Sequence, residues 1–359
     1  MITGNKGEWS EIYALFKLLG DKVLQPGDKN IEKIKDIFYP IIKILRSESN
    51  GDFEYSINDD IVLIVGNSKE LRIPIIEFKQ KSISLLNYIK SSSAGTFSIP
   101  EIEIFMKSIN CISLKASSSS KTDITIVVHD QRTNQQPTLG FSIKSQLGNP
   151  STLLNAGKTT NFTFKINNLI LNSSEIAKIN FIDSRSKIKD RIEEILNKGG
   201  QFEFVETEQK IFSNNLILID SFLPQILSEI VFDFYNSNHT KTSDLVNELE
   251  IKNPLKFDIS NKHRFYNYKI KRFLTDTALG MMPSKVWTGK YDSTGGYLII
   301  KEDGEILCYH IYNQNEFEDY LINNTKLETA SSTRHKFGEL FEENGELFFK
   351  LNLQIRFIK

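Results

Sequence analysis

The chain has 359 residues, 40% of them apolar and 25% charged, with a net charge of −1 at pH 7. This balance describes a soluble globular protein with room for one large or two ordinary cores, and announces no nucleic-acid surface by charge alone, although charge can be segregated by face. The sequence shows no N-terminal apolar segment and no apolar run near about 18 residues, which supports neither secretion nor membrane spanning, and the widely separated Cys111 and Cys308 form no CxxC pair, which argues for a reducing cytoplasm and against zinc.

The chain opens on NKGEWSEIYALFKLLGDKV, where Trp9, Ile12, Tyr13, Phe16 and Leu19 recur at helical spacing and Gly20 is placed to end the helix. Glu8 and Glu11 leave this helix on one side, with Glu11 bordering the apolar stripe. A second helix is expected over about Lys29 to Leu45. FEYSI and DIVLIV predict strands, and EFKQKSISLLNYIKSS a further helix. Ser117 to Ser120 lead into the β-rich TDITIVV, followed by LGFSIKSQLG, a loop or short helix, and NFTFKI. Helices are expected at SRSKIKDRIEEILNKGG, NLILIDSFLPQILSEIVFDFYN and KHRFYNYKIKRFLTDTALGMM. The last part turns β-rich, with hairpins around Asp303-Gly304 and Asn344-Gly345. A boundary between Tyr235 and Glu250 would divide the chain into residues 1–235 and 236–359, although no Pro/Gly-rich linker marks it.

Charged side chains inside strands need a solvated face or a chemical role. If the two central strands form a bulge-free hairpin, side-chain alternation puts Asp123 on one face of the first strand. Ser142, Lys144 and Gln146 share a face of the second, and Asp123 falls roughly opposite Lys144. An acid, a lysine, a serine and an amide on one face suit a Mg²⁺ site for phosphodiester hydrolysis, where carboxylates hold the ion and the lysine assists the attacking water. A plain cross-strand ion pair is the alternative. The histidines are scattered, with no HxxE, HExxH or HNH-like array, and no P-loop is present.

The stretch containing Asp123 and Ser142-Ile143-Lys144 resembles the PD-(D/E)xK nuclease signature. GEWSEIYALFKLLG, LGFSIKSQLGNPSTLLNAGKTTNF and RHKFGELF…LNLQIRF together resemble the HpaII-type restriction endonucleases. The resemblance implies an α+β fold: a mixed central sheet flanked by helices as the PD-(D/E)xK core, with additional helical and C-terminal β-rich parts. Residues 1–235 would carry catalysis, and 236–359 DNA recognition or assembly. It also implies a Mg²⁺-dependent, cytoplasmic type II enzyme cutting double-stranded DNA, at CCGG by resemblance only. A homodimer, or a heterodimer with a related subunit, would act on the DNA, with a cognate DNA methyltransferase as genetic partner and no membrane.

Two positions depart from the signature: Thr122 replaces its proline, and Ser142 its second acid. About a dozen residues beyond the lysine, where some members supply that acid, stand Ala156, Gly157 and Lys158. The first helix therefore becomes the expected source, with Glu11 favoured over Glu8 because it lies nearer the buried stripe; for both, the plain alternative is an N-terminal helix turn that favours acids. Asp123 and Glu11 would hold the metal, Lys144 would assist the water, and Ser142 and Gln146 would tune the site. DNA contacts are expected from Ser118, Ser119 and Lys121 before Asp123, and from Asn149, Ser151, Asn155, Lys158, Thr159 and Asn161 after Lys144. Arg334, His335 and Lys336 form a further candidate group, with Arg334 expected to read a guanine bidentately. The rivals are a non-cleaving DNA-binding protein on the same fold, given Ser142, and a repair or structure-specific nuclease.

Overall fold

The computed structural model describes residues 1–116, 122–309 and 313–358. The chain forms two compact units. Unit 1 comprises residues 1–151 and 291–320, and unit 2 residues 152–290 and 321–358. The chain thus crosses between units near 151, 290 and 320, not once near 235.

Unit 1 begins with α1 (Lys6–Asp21), β1 (Val23–Pro26), β2 (Tyr39–Glu48), β3 (Gly51–Asn58), β4 (Ile61–Gly66) and β5 (Lys69–Pro74). It continues with α2 (Ile75–Ser91), α3 (Pro100–Ser108), β6 (Ile124–Val128) and β7 (Thr138–Ser145). Unit 2 follows with β8 (Thr152–Leu154), β9 (Asn161–Asn167), α4 (Ser173–Asn180), α5 (Lys187–Asn197) and β10 (Gln201–Thr207). The helices α6 (Lys210–Ile219), α7 (Leu223–Asn236), α8 (Thr242–Lys252) and α9 (Phe265–Leu279) complete that passage. Next come β11 (Gly296–Ile300), β12 (Ile306–Tyr309) and α10 (Gln314–Asn323). The last elements are β13 (Thr325–Leu327), α11 (Ser332–His335), β14 (Leu340–Glu343), β15 (Glu346–Asn352) and β16 (Ile355–Phe357). The protein is a mixed α+β protein.

Among the described residues, unit 1 is built on a sheet of nine strands in the order β1-β12-β11-β7-β6-β2-β3-β4-β5. It is mixed, with β7 parallel to β11 and antiparallel to β6. The helices pack through a three-ring cluster: Phe16 of α1 lies 5.2 Å from Phe105 of α3, and Phe105 lies 5.3 Å from Phe78 of α2, both edge-on. These rings share one core with Ile44, Tyr55, Ile126, Phe141 and Leu298 of the sheet. At the sheet's centre, a Cβ on Gly140 would stand 2.9 Å from the Thr122 side chain, a contact too close for anything but glycine without local movement.

The helix expected over Lys29 to Leu45 does not form, and residues 39–48 are strand β2 instead. A bulge between Ile41 and Lys43 interrupts the period-2 alternation, so buried Ile41 and Ile44 fall at a spacing that imitates a helix face. On either side of the bulge burial follows the strand period, Tyr39 with Ile41 and Ile44 with Arg46 and Glu48.

Unit 2 holds the sheets β10-β9-β15-β14 and β13-β16-β8. Its core is rich in phenylalanine: Phe164 meets Phe202, Phe204 and Phe232, and Phe202 meets Phe349 edge-on at 5.8 Å. The β14–β15 hairpin closes on Asn344 (φ 53°) and Gly345 (φ 79°), the left-handed pair that Asn-Gly predicts. Among the described residues no single helix is long and apolar enough to cross a membrane. The helices α6 and α7 pass that test only as a pair bent by 109°, and Phe212, Leu216, Ile226 and Ile230 on them are buried.

Candidate active site

The site is assembled on β6 and β7, with α1 presented to one side. Strand pairing runs Ile124 to Phe141, Thr125 to Gly140 and Ile126 to Leu139, and the bridge from Asp130 to Gln135 continues it. Extending this register sets Asp123 opposite Ser142, two residues from the expected partner Lys144. Its cause lies in the turn: Asp130 Oδ1 accepts from Arg132 N at 2.9 Å, closing the loop one residue earlier than a midpoint between Thr133 and Asn134 would place it. A shift of two preserves facing, so Lys144 stays on the face of Asp123.

A line of hydrogen bonds results. The Asp123 backbone N–H donates to Phe141 O at 2.9 Å, fixing the strand end. Asp123 Oδ2 accepts from Ile143 N at 2.7 Å and from Ser142 Oγ at 3.1 Å. Lys144 Nζ donates to Ser142 Oγ at 3.1 Å. Among the described residues Oδ1 of Asp123 takes no hydrogen bond, so one carboxylate oxygen remains for another partner. Ser142 is 5% exposed and forms the joint between acid and lysine. Lys144 Nζ also lies 4.9 Å from the centre of the Tyr297 ring. Burial pulls the Lys144 pKa down, and Asp123 and Glu11 oppose that shift.

Glu8 and Glu11 part company on α1. Glu8 completes a capping box: Asn5 N donates to Glu8 Oε2 at 2.8 Å, and Glu8 N donates to Asn5 Oδ1 at 3.0 Å. Its other oxygen pairs with Lys115 at 3.4 Å. Two residues on, Ser10 Oγ bonds Ser145 Oγ at 2.8 Å and ties α1 to the end of β7. Glu11 is thereby held in the field of Asp123. Burial, and then Asp123, push its carboxyl up to about 8, against the pull of Lys115 and Arg46. Arg46 is itself fixed in the interior by Glu48 at 2.6 Å and by the Ser113 carbonyl. Glu11, Ile143 and Ser145 line an open cleft of about 750 Å³ that also reaches Lys115, Asn149 and Ser151.

Among the described residues no group of three or more His, Cys, Asp or Glu side chains could hold a metal ion. The carboxylates within each other's field are those of Asp123, beside Ser142 and Lys144, and of Glu11, which α1 presents from the side of Ile143 and Ser145. Burial, and then the neighbouring Asp123 charge, disfavour the ionised Glu11, and a hard divalent cation between the two carboxylates would offset both, so this donor set fits such an ion with water and phosphate as its remaining ligands. Gln146 lies just beyond β7 and is anchored by its backbone N–H to Ile300 O at 2.8 Å.

The expected DNA-facing residues separate into groups. Ser118, Ser119 and Lys121 lie outside the described residues. Asn149 is exposed in the cleft of unit 1. In unit 2, Asn155 and Lys158 are exposed and Thr159 is half-buried. Asn161 corrects the expectation: it is fully buried, its amide donates to Glu208 and to the His335 carbonyl, and its oxygen accepts from Asn352. The side chain expected to contact DNA from the segment after Lys144 is used instead to frame unit 2. Arg334 is exposed on the short α11, whose cap Ser331 accepts from the Arg334 backbone. Among the described residues its guanidinium has no ion pair. The basic helix α9 is partly neutralised within its own unit, Lys269 by Asp220 and Arg272 by Asp276. Sequence reasoning missed Tyr297, which carries no local signal because a parallel strand from much later in the chain brings it beside β7.

The three blocks that resembled one family lie in α1, in β7 to β9, and in α11 to β16. The HpaII restriction endonuclease family matches residues 5–357. Over 359 residues, 99% of each chain, the sequence is 51% identical to the type II restriction enzyme HpaII of Haemophilus parainfluenzae. No solved structure matches it. The match runs along nearly the whole length, and the chain belongs to the HpaII restriction endonuclease family.

Proposed function

We propose that the protein is a type II restriction endonuclease that hydrolyses phosphodiester bonds of double-stranded DNA at a short recognition sequence, with Mg²⁺ as cofactor. The observation that carries this is the hydrogen-bonded line Asp123–Ser142–Lys144, with Glu11 in the field of Asp123. The central sheet would then be a PD-(D/E)xK core in which α1, not β7, supplies the second acid. Asp123 and Glu11 would hold the cation. Bound there, it would polarise the phosphate and acidify a water.

The chain's own groups do the rest. Ile143 N–H and Ser142 Oγ fix one oxygen of Asp123 and leave the other open towards the site. Ser142 aims the Lys144 amine along the site face but brings no charge, which is why Glu11 is needed. Lys144 orients the attacking water and offsets the negative charge that develops as the phosphate is attacked. Gln146 stands one alternation further on and tunes the same face. Asn149 contacts phosphate, and Asn155, Lys158, Thr159 and His335 serve the duplex from unit 2, where Arg334 reads a base. Two copies, or this chain with a related subunit, would cut the two strands. CCGG is the site expected by resemblance, a methyltransferase would protect the host DNA, and the enzyme would act in the cytoplasm.

Digestion of a plasmid of known sequence with Mg²⁺, followed by run-off sequencing of the ends, tests this. Discrete ends within one short sequence are expected. Sequence-specific binding without cutting would instead identify a non-cleaving DNA-binding protein, and ends without sequence preference a repair or structure-specific nuclease.

A further inference from the structure

Parallel pairing of β7 with β11 sets Tyr297 beside Ser142 and Ile299 beside Lys144, so all four side chains share a face. Tyr297 is 2% exposed, and its ring is held edge-on by Phe317 at 5.4 Å. Lys144 Nζ sits over the ring face, 4.9 Å from its centre, and donates a hydrogen bond to Ser142 Oγ at 3.1 Å. A lysine has a long, flexible stem, and one hydrogen bond to a serine leaves its ammonium free to swing. An aromatic face removes that freedom without neutralising the charge, which a carboxylate partner would do, and a desolvated cation–π contact is the stronger kind. In a site whose second acid position on β7 holds an uncharged serine, a neutral second support for the lysine is what the geometry provides.

We infer that Tyr297 is a positioning residue of the nuclease site, its ring face holding the Lys144 ammonium in line with Ser142 and Asp123. The inference rests on the proposed nuclease role of Lys144. It requires the ring, not the hydroxyl. Tyr297→Phe should cut cognate DNA within about threefold of the wild-type rate, whereas Tyr297→Leu and Tyr297→Met should lower kcat by about ten- to thirtyfold. Binding of cognate duplex in Ca²⁺ should stay within about threefold for all three, which separates positioning from recognition. The Lys144 ε-methylene protons, assigned by their loss in Lys144→Ala, should resonate upfield through the ring current and return to ordinary positions in Tyr297→Leu or Tyr297→Met.

The resonance does not depend on cutting, so it distinguishes failure of this inference from failure of the nuclease assignment. An unshifted resonance in the wild type overturns the inference. Wild-type cutting by a folded Leu or Met variant does so too, as does a loss in Tyr297→Phe equal to theirs. Should both ringless variants fail to fold, the wild-type resonance and the Tyr297→Phe rate still decide it.

Discussion

Two polar clusters, one in each unit, were both expected to serve DNA, and they differ in kind. In unit 1, Asp123, Ser142, Lys144 and Glu11 gather charge that the fold pays for: burial lowers the lysine pKa and raises the glutamate to about 8. In unit 2, Asn352 donates to the Gly157 carbonyl at 2.8 Å and to Asn161 Oδ1 at 2.7 Å, while Asn161 donates to Glu208 and to the His335 carbonyl. These amides are buried and turned inward, so they hold the 157–161 turn against β15 and the end of α11. The contrast separates framework from chemistry. A buried neutral amide that closes on its neighbours lowers the folding free energy. Ionisable groups kept together at a cost are instead the pattern that functional sites favour.

The sharpest way to break this contrast is to remove the charges. Asp123→Asn and Lys144→Ala should each lower cleavage by about a thousandfold or more, while binding of cognate duplex in Ca²⁺ stays within about tenfold. Glu11→Gln should follow them by at least about a hundredfold, and Glu8→Gln, which loosens a cap, should leave the rate near wild type. A strand-cleavage assay on a labelled duplex decides, and a Lys144→Ala enzyme cutting within tenfold of wild type would remove the site assignment.

Next in size is the framework. Asn352→Ala should destabilise unit 2 by about 2–4 kcal/mol, because Asn161 and the Gly157 carbonyl lose a buried partner. Urea unfolding followed by fluorescence measures it, and the residual activity at low temperature should keep its sequence preference. A change of preference at unchanged stability would make this cluster a reader of DNA after all.

Arg334 tests the boundary between the two kinds of residue. If the exposed guanidinium grips a guanine, Arg334→Ala should cost about 1–3 kcal/mol of discrimination at one base-pair position. Binding to the cognate site and its single-base variants at two salt concentrations reads this directly. A loss shared by all variants, with the salt slope reduced by about one, would make Arg334 a phosphate clamp.

The smallest expected effect is a pH dependence of stability in chelator. The folded Glu11 carboxyl holds its proton up to about 8, whereas the unfolded one releases it near its ordinary value of 4.5. Between those values the folded state binds more protons, so Glu11 makes the protein less stable as pH rises through this window. Glu11→Gln should remove a slope on the order of 1–2 kcal/mol, after allowance for the partial exposure of the group. Urea melts at about pH 5 and about pH 9 compare the two proteins, and equal slopes would show that burial and Asp123 do not raise the Glu11 carboxyl.

Much of this protein was legible from local pattern. The α1 stripe, the Asn344-Gly345 hairpin and the common face of Asp123, Ser142 and Lys144 follow from helical and strand periods that depend on neighbours in sequence. The last survived an error in register because facing repeats every two residues, and the register moved by two. Strand β2 was not legible, since its bulge lets apolar residues fall at helical spacing and only pairing with β3 and β6 decides between the two. The fate of Asn161 was hidden for a different reason: its partner Asn352 arrives from β15, and nothing near Asn161 in sequence says whether its amide faces water or an inner strand. Tyr297 reaches Lys144 by a parallel pairing across a long excursion of chain. The raised carboxyl of Glu11 likewise exists only once α1 is pressed beside β7, because desolvation and Coulomb energy depend on distances in space and not along the chain.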